Sequence, residues 1–358
     1  PWQDLASLPA PIIENDYLRL AFDPQRGWLT SLFDKGLGVE LLREPGGVPL
    51  VIDDPSDTWS HDIVSFDRVL GRSEADGNVH LVESGPVRQV VRACCRWGCS
   101  TITLDYILYA HSRQVYLDVT IDWHEQLNML KLAFPLAVQG AQSTASIPYG
   151  SIQRRDDGGE EPCQSWVDMS GTIRGQRCGL SVLNDSKYGY DALEGELRLS
   201  LLRSPIYAFH QPRQIEAGVQ YDFADQGEQV VHLALVPHAG TWAKGDAARL
   251  AASLNAPPIA REEQTHAGTW PAAASLARCD APNVILTVIK LAEDRDGLIL
   301  RGYESAGHET EAEVGIGMGN AAVSQVVRWR PHEIKTLYLE PGAAALVEVD
   351  MLEVERAP

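Results

Sequence analysis

Eight consecutive residues, Asn184-Asp-Ser-Lys-Tyr-Gly-Tyr-Asp191, hold two aromatic rings, a cation, two carboxylates and an amide. That set suits a polyol, because rings stack on C–H faces while amide and carboxylate groups take hydroxyls. It also describes an ordinary polar hairpin, and both readings stand at this level. The side chains it offers are Asn184, Asp185, Lys187, Tyr188, Tyr190 and Asp191. Tyr188 and Tyr190 flank Gly189 and can face opposite ways, so one of them at most needs to be a platform. A second concentration, DDPSDTWSHD from Asp53 to Asp62, holds an aromatic, a histidine and four carboxylates. It reads as a site or as a solvated loop with an Asx turn at Asp54-Pro55, and its spacing forces no metal geometry. His124-Glu125 is a possible acid–base pair, or two polar residues at a strand end.

The elements that must position these residues are strands. The apolar run Leu180 to Leu183 stops at Asn184-Asp185, and alternation resumes from Glu196 to Leu202. Short alternating stretches recur throughout, at Tyr17 to Phe22, Val87 to Cys95, Thr101 to Tyr109, Val115 to Trp123 and Val230 to Val236. Turns break them at intervals of about 8 to 12 residues, which marks an all-β chain of stacked large sheets. Lys244 to Leu254 is the one convincing helix, with Ala248, Leu250, Ala251 and Leu254 on its apolar side. Residues 1–256 therefore read as one large domain and 257–275 as a linker that begins Pro-Pro. Residues 276–358, with about six strands and an Asp-Gly bend at Asp296-Gly297, read as a small β-sandwich.

Composition bounds the partners. At 358 residues, 44% hydrophobic and 22% charged, the chain is ordinary globular protein with room for two domains. A net charge of −19, from 49 acidic and 30 basic residues, disfavours nucleic acid and anionic membrane surfaces. No window approaches a membrane span of about 18 apolar residues. The first residues, Pro1-Trp-Gln-Asp4, show neither an initiator Met nor a signal peptide, so the expectation is a chain cut from a longer one. Six cysteines without a Cys-x-x-Cys read as thiols of a reducing compartment, hence a cytoplasmic protein.

Several stretches together resemble the C-terminal β region of glycoside hydrolase family 38, the α-mannosidases, in its bacterial and cytosolic branch. They include IIENDYLRLAFDPQRGWLTSLFDK, SWVDMSG, LSVLNDSKYGYD, LRLSLLRSPIYA, YDFADQGEQ and LVPHAGTW, in the family's order and across nearly the whole chain. NDSKYGYD, then LLRSP, then PHAG is the specific part. The resemblance implies a large galactose-mutarotase-like supersandwich followed by a small β-sandwich. It implies that the zinc, its ligands and the nucleophile lie in N-terminal barrel and helical domains absent from this chain. The family's His-x-Asp zinc motif does not occur here; His61-Asp62 has the wrong spacing. No cofactor is expected in this chain and no catalytic residue is nominated, since retaining hydrolysis needs two carboxyl groups about 5 Å apart.

The resemblance implies instead that loops contact a mannose-containing carbohydrate. The loops concerned are Asn184 to Asp191 and Asp225 to Glu228, with Asp225 and Gln226. Tyr149, Tyr207 and the Asp57 to Asp62 loop, with Trp59 and His61, come second. A surface turned toward the absent domains would be apolar, and a homo-oligomer would cover it. A stand-alone carbohydrate-binding module and a mutarotase-like epimerase using His124 and Glu125 are the alternatives.

Overall fold

The protein is described by a computed structural model covering residues 11–207, 215–269, 271–317 and 322–354. A four-stranded meander comes first: β1 (Ile12–Glu14), β2 (Leu18–Phe22), β3 (Leu29–Asp34) and β4 (Val39–Glu40). Then follow β5 (Val48–Asp53), β6 (Val69–Arg72), β7 (Val79–Ser84), β8 (Arg88–Trp97), β9 (Ser100–Tyr109), β10 (Val115–Trp123) and β11 (Asn128–Pro135). Next are β12 (Gln139–Ile147), β13 (Gly150–Arg154), β14 (Glu161–Pro162), β15 (Trp166–Ile173), β16 (Gln176–Asn184), β17 (Gly189–Leu193), β18 (Glu196–Arg203) and β19 (Gly227–Ala239). They build a nine-stranded sheet in the order β13-β12-β15-β16-β19-β10-β9-β8-β7 and a six-stranded sheet in the order β14-β17-β18-β11-β5-β6. The chain is all-β, as its alternation indicates, and α1 (Ala247–Asn255) is the single helix of eight or more residues among the described ones.

The chain packs as two compact units, Pro1–Ala145 with Gln153–Ala247, and Ser146–Ile152 with Ala248–Pro358. In the larger unit, β9 shows why strict alternation works: Ile102, Leu104, Tyr106 and Leu108 are fully buried while Thr101 and Tyr109 face out. These inward rows meet Leu130, Leu132 and Phe134 of β11 and Leu197 and Leu199 of β18 in one core. The six-stranded sheet is buried on its other face too. There Trp28, Val48, Leu50, Ile52, Phe66, Met129 and Ala133 form a second cluster. VPLVID and NMLKLAFP are therefore near-continuous apolar runs, the pattern of strands covered on both sides. Three cysteines, Cys95, Cys163 and Cys178, are buried, Cys99 is exposed, and all six are unpaired. Burial pushes the Cys95 and Cys163 thiols up to about 12, so neither is a nucleophile at neutral pH.

The smaller unit is a sandwich of two sheets. β20 (Ala277–Cys279), β21 (Val284–Leu291), β22 (Leu298–Glu304), β23 (Thr310–Ile316), β24 (Val323–Trp329), β25 (Ile334–Leu339) and β26 (Val347–Val349) are its strands. They pair as β20-β23-β24 and β21-β22-β25-β26 around Leu300, Val314, Trp329 and Leu337. Its turns are held by Glu304, which is fully buried. Glu304 accepts hydrogen bonds from the N–H groups of Ala306, Gly307, His308 and His332 at 2.8, 2.8, 3.1 and 3.0 Å, and from Asn283 Nδ2 at 2.8 Å. Burial alone would push its carboxyl up, but the donors outweigh burial and hold it below the usual range.

Two outcomes follow from this packing. The folded Glu304 carboxyl titrates below its unfolded value, so its stabilisation is complete above the unfolded value and is lost as pH falls through the folded one. Glu304→Gln should lower the stability of this unit by about 2 kcal/mol at neutral pH, with the deficit shrinking in acid. Urea unfolding at several pH values reads this, and a pH-independent deficit would contradict it. Residues 257–269 form neither helix nor strand and are exposed throughout, Ile259 at 96%. Trypsin should therefore cut first after Arg261. Mass spectrometry of a brief digest checks this, and a first cut inside the 54–68 loop would overturn it.

Candidate functional site

The richest stretch is not a hairpin within one sheet. β16 ends in the nine-stranded sheet at Asn184, and β17 opens in the six-stranded sheet at Gly189, so residues 185–188 cross between sheets. Asn184 is buried and builds the crossing. Its Nδ2 donates to Gln164 O at 2.8 Å, and its Oδ1 accepts from the Lys187 N–H at 2.8 Å. Asp185 Oδ1 accepts from the His232 N–H at 3.1 Å. Lys187 Nζ donates to Gln229 Oε1 at 3.0 Å. Burial pushes the Lys187 ammonium below its usual range, against the attraction of Asp225 and Asp185. Tyr188 stands 62% exposed.

Arg203, at the end of β18, ties together the 54–66 and 225 loops. Its Nε and Nη2 grip Asp54 at 2.8 and 3.0 Å, and Nη2 reaches Ser56 Oγ at 2.9 Å. Its guanidinium lies 4.7 Å from the centre of the Phe66 ring. Its N–H donates to Asp225 Oδ2 at 3.1 Å. Beyond it, Ile206 bridges Asp57 on one side and Phe223 on the other, and the Tyr207 N–H donates to Asp222 O at 2.9 Å. Gln226 Nε2 donates to Glu125 O at 2.9 Å. One end of the large sandwich thus gathers Asp185, Lys187, Tyr188, Asp225, Gln226, Tyr207, Trp59 and His61 into a rim. Trp59 and Tyr207, 62% and 68% exposed, stand with Tyr188 as its aromatic groups.

Four of the twelve side chains read from the sequence lie outside the rim: Asn184, buried in the crossing, and three with other surroundings. Tyr149 belongs to the smaller unit, where it meets Tyr303 edge-on with ring centres 5.4 Å apart. Tyr190 is fully buried in the main core, and burial pushes its hydroxyl far above the usual range. Asp191 is buried on the opposite face of the same strand, between Lys131 and Arg198. Lys131 also pairs with Glu160, which Ser200 Oγ contacts, so five polar side chains close one network on the six-stranded sheet. His124 and Glu125 do not converge either. His124 Nε2 lies 2.8 Å from Asp122 Oδ1, whereas Glu125 Oε1 accepts from the Cys99 N–H at 2.8 Å and Ser100 Oγ at 3.0 Å.

Arg203 is the loop-holding residue that reading by loops passes over. Its signal is the charge ending the leucine-rich stretch Leu199-Ser-Leu-Leu202, a place where a cation needs a partner. Among the described residues, no group of three or more His, Cys, Asp or Glu could hold a metal ion. The described residues thus offer no set that would hold the zinc, which the family resemblance places in N-terminal domains.

Comparison with known proteins gives the class. Residues 13–213 match the glycosyl hydrolases family 38 C-terminal domain, and residues 283–328 match the family 38 C-terminal beta sandwich domain. The first match covers more than half of the chain, and the chain belongs to this family. It is 26% identical over 324 residues to alpha-mannosidase G of Dictyostelium discoideum and 29% identical over 329 residues to human alpha-mannosidase 2C1. Each alignment takes in 84% of this chain but only 28% and 29% of those relatives, so the chain spans less than a third of their length. The fold is shared with an alpha-mannosidase from Enterococcus faecalis V583, with a TM-score of 0.74 at 16% identity over 92% of this chain and 42% of that one.

The buried network makes a claim that separates structure from function. Asp191→Ala leaves Lys131 and Arg198 facing one another without their shared carboxylate. It should destabilise the protein by about 3 to 5 kcal/mol, measured as a lowered urea midpoint. A loss under about 1 kcal/mol would return Asp191 to the pool of ligand-facing groups.

Proposed function

We propose that this chain is the non-catalytic C-terminal region of an α-mannosidase. In the full-length enzyme it supplies rim contacts to a terminal α-D-mannoside and packs against N-terminal barrel and helical domains. The observation that carries this reading is the family match together with relatives named as α-mannosidases, of which the chain spans less than a third. The rim supports a binding role. Its exposed aromatics Trp59, Tyr188 and Tyr207 offer ring faces, and Lys187 and Gln226 offer polar groups. Its carboxylates are committed to holding loops, Asp54 and Asp225 by Arg203 and Asp185 by the His232 N–H. Hydrolysis and zinc belong in this reading to the N-terminal domains. The six unpaired cysteines support a reducing compartment, the cytoplasm. Among the described residues, no helix is long and apolar enough to cross a membrane.

The test is an assay of the purified chain on an aryl α-mannoside with added zinc. The expected result is turnover no higher than that of a heat-treated control, and clear turnover sinks the reading. The three exposed aromatics favour one second reading, a carbohydrate-binding module acting alone. Calorimetry with mannobiose separates the two, since only a module gives heat at micromolar ligand.

A further inference from the structure

The loop from Asp57 to Asp62 contains two buried side-chain oxygens without a hydrogen-bond partner among the described residues. Asp57 is 4% exposed. Its Oδ1 accepts from the N–H groups of Trp59 and Ser60 at 2.9 and 3.2 Å. Its Oδ2 is buried without a hydrogen bond, and so is Ser60 Oγ. The nearest cation does not cover them, because the Arg203 guanidinium is occupied by Asp54, Ser56 Oγ and the Asp57 carbonyl. A buried carboxylate oxygen without a donor is destabilising and calls for a cause. The backbone of the same loop is strained. Ser60 and Asp62 sit at φ 49° and 62°, in the left-handed region that side chains avoid. Leu127 and Asp225, at the same end of the sandwich, have φ 55° and 49°. Unpaired oxygens and strain coincide beside Trp59, whose ring is mostly in solvent.

We propose that Asp57 and Ser60, with the Trp59 ring, form a hydroxyl-binding subsite for a neutral polyol, a sugar of the mannoside type. The loop opens to it by turning at Ser60 and Asp62. This rests on the rim reading above and deepens it, by assigning direct contact to residues 57–60. The chemistry of the pair selects the ligand. A carboxylate oxygen and a hydroxyl three residues apart on one loop both accept hydrogen bonds, and a vicinal diol brings two O–H groups to them. The exposed indole suits a sugar C–H face. An anionic ligand would meet Asp57 and Asp62. A metal ion would need further ligands, and no such group is placed here among the described residues.

The test is a titration of the chain with methyl α-D-mannoside, followed by ¹H–¹⁵N NMR of the backbone amides and the Trp59 indole. The expected result is saturable shifts at Asp57, Trp59 and Ser60. Asp57→Asn, which keeps the Oδ1 acceptor, and Ser60→Ala, which leaves the caps untouched, should each weaken binding about five- to tenfold. Shifts confined to residues 185–188 and 225–226 overturn the subsite while leaving the rim reading intact. Shifts at residues 57–60 with unaltered affinity in both variants overturn it as well. Absence of shifts anywhere at millimolar mannoside removes both the subsite and the rim's sugar contacts in this chain. Free lysine moving the same amides at lower concentration than the mannoside would assign the oxygens to a cationic partner, against the polyol.

Discussion

Burial of both faces of the six-stranded sheet is the constraint on which the rest of the large unit depends. Its inner face meets the nine-stranded sheet in the main core, and its outer face carries Trp28, Leu50, Ile52, Phe66 and Met129. Strands alone do not cover that outer face. The segment around residues 157–160 helps to do so, tied by Glu160 N–H to Val64 O at 2.9 Å and by Gly158 N–H to Ala192 O at 2.9 Å. Phe66 reaches it from the 54–68 loop. Lys131 lies in the middle of an otherwise apolar strand on this face, and an isolated ammonium there would be costly. Asp191 and Glu160 neutralise it, and Arg198 balances Asp191 in turn. Those charges fasten a covering segment to a sheet, and the specificity they provide is of position.

The rim inherits its order from that covering. Phe66 packs into the outer face, Arg203 lies over Phe66, and the same guanidinium grips Asp54 and Ser56. The loop bearing Trp59 and His61 is thus held from the sheet upward. The Arg203 backbone holds Asp225, and Ser204 Oγ accepts from Trp123 Nε1 at 3.1 Å and donates to Asn128 O at 2.9 Å. Three chain segments distant in sequence, around residues 54–66, 123–128 and 225, thus meet at two consecutive residues, Arg203 and Ser204. A bidentate arginine suits this place because a planar fork fixes orientation as well as charge.

Much of this was legible in the residues. Strict alternation gave β8, β9 and β10 nearly to the residue, because one face of each meets the core and the other meets water. The strands of the smaller unit were readable for the same reason, and so was the helix, although its first turn begins at Ala247 rather than Lys244. β5 escaped because two-sided burial removes the alternation that marks a strand. Asp191 and Tyr190 looked like ligand-facing groups because they share a stretch with Lys187 and Tyr188. What separates them is the start of β17 at Gly189, which turns one inward to the core and the other toward Lys131, 60 residues away in sequence. No local pattern announces a partner that distant. Tyr149 depends on a contact with Tyr303, from a strand more than a hundred residues later. The family resemblance, by contrast, needed only order along the chain, and NDSKYGYD served it well as a marker while serving less well as a list of contacts.

That difference bears on what the NDSKYGYD loop is for. Asn184 and Asp185 spend their polar atoms on Gln164, Lys187, Ser186 and His232, so the loop's most sugar-like groups act first as fasteners. A loop that crosses between two sheets cannot move without disturbing both, which suits a fixed wall better than a closing one. The Asp57 to Asp62 loop is different in kind. It is anchored at Asp54 and Ser56 by Arg203, yet beyond Asp57 it carries left-handed residues and oxygens left over from its own turns. Strain and unmet hydrogen bonding persist only where surrounding structure enforces them, and here the partly buried Arg203 enforces them from one side. The rim is therefore asymmetric, with a rigid wall at residues 184–189 and a strained, clamped loop at 57–62.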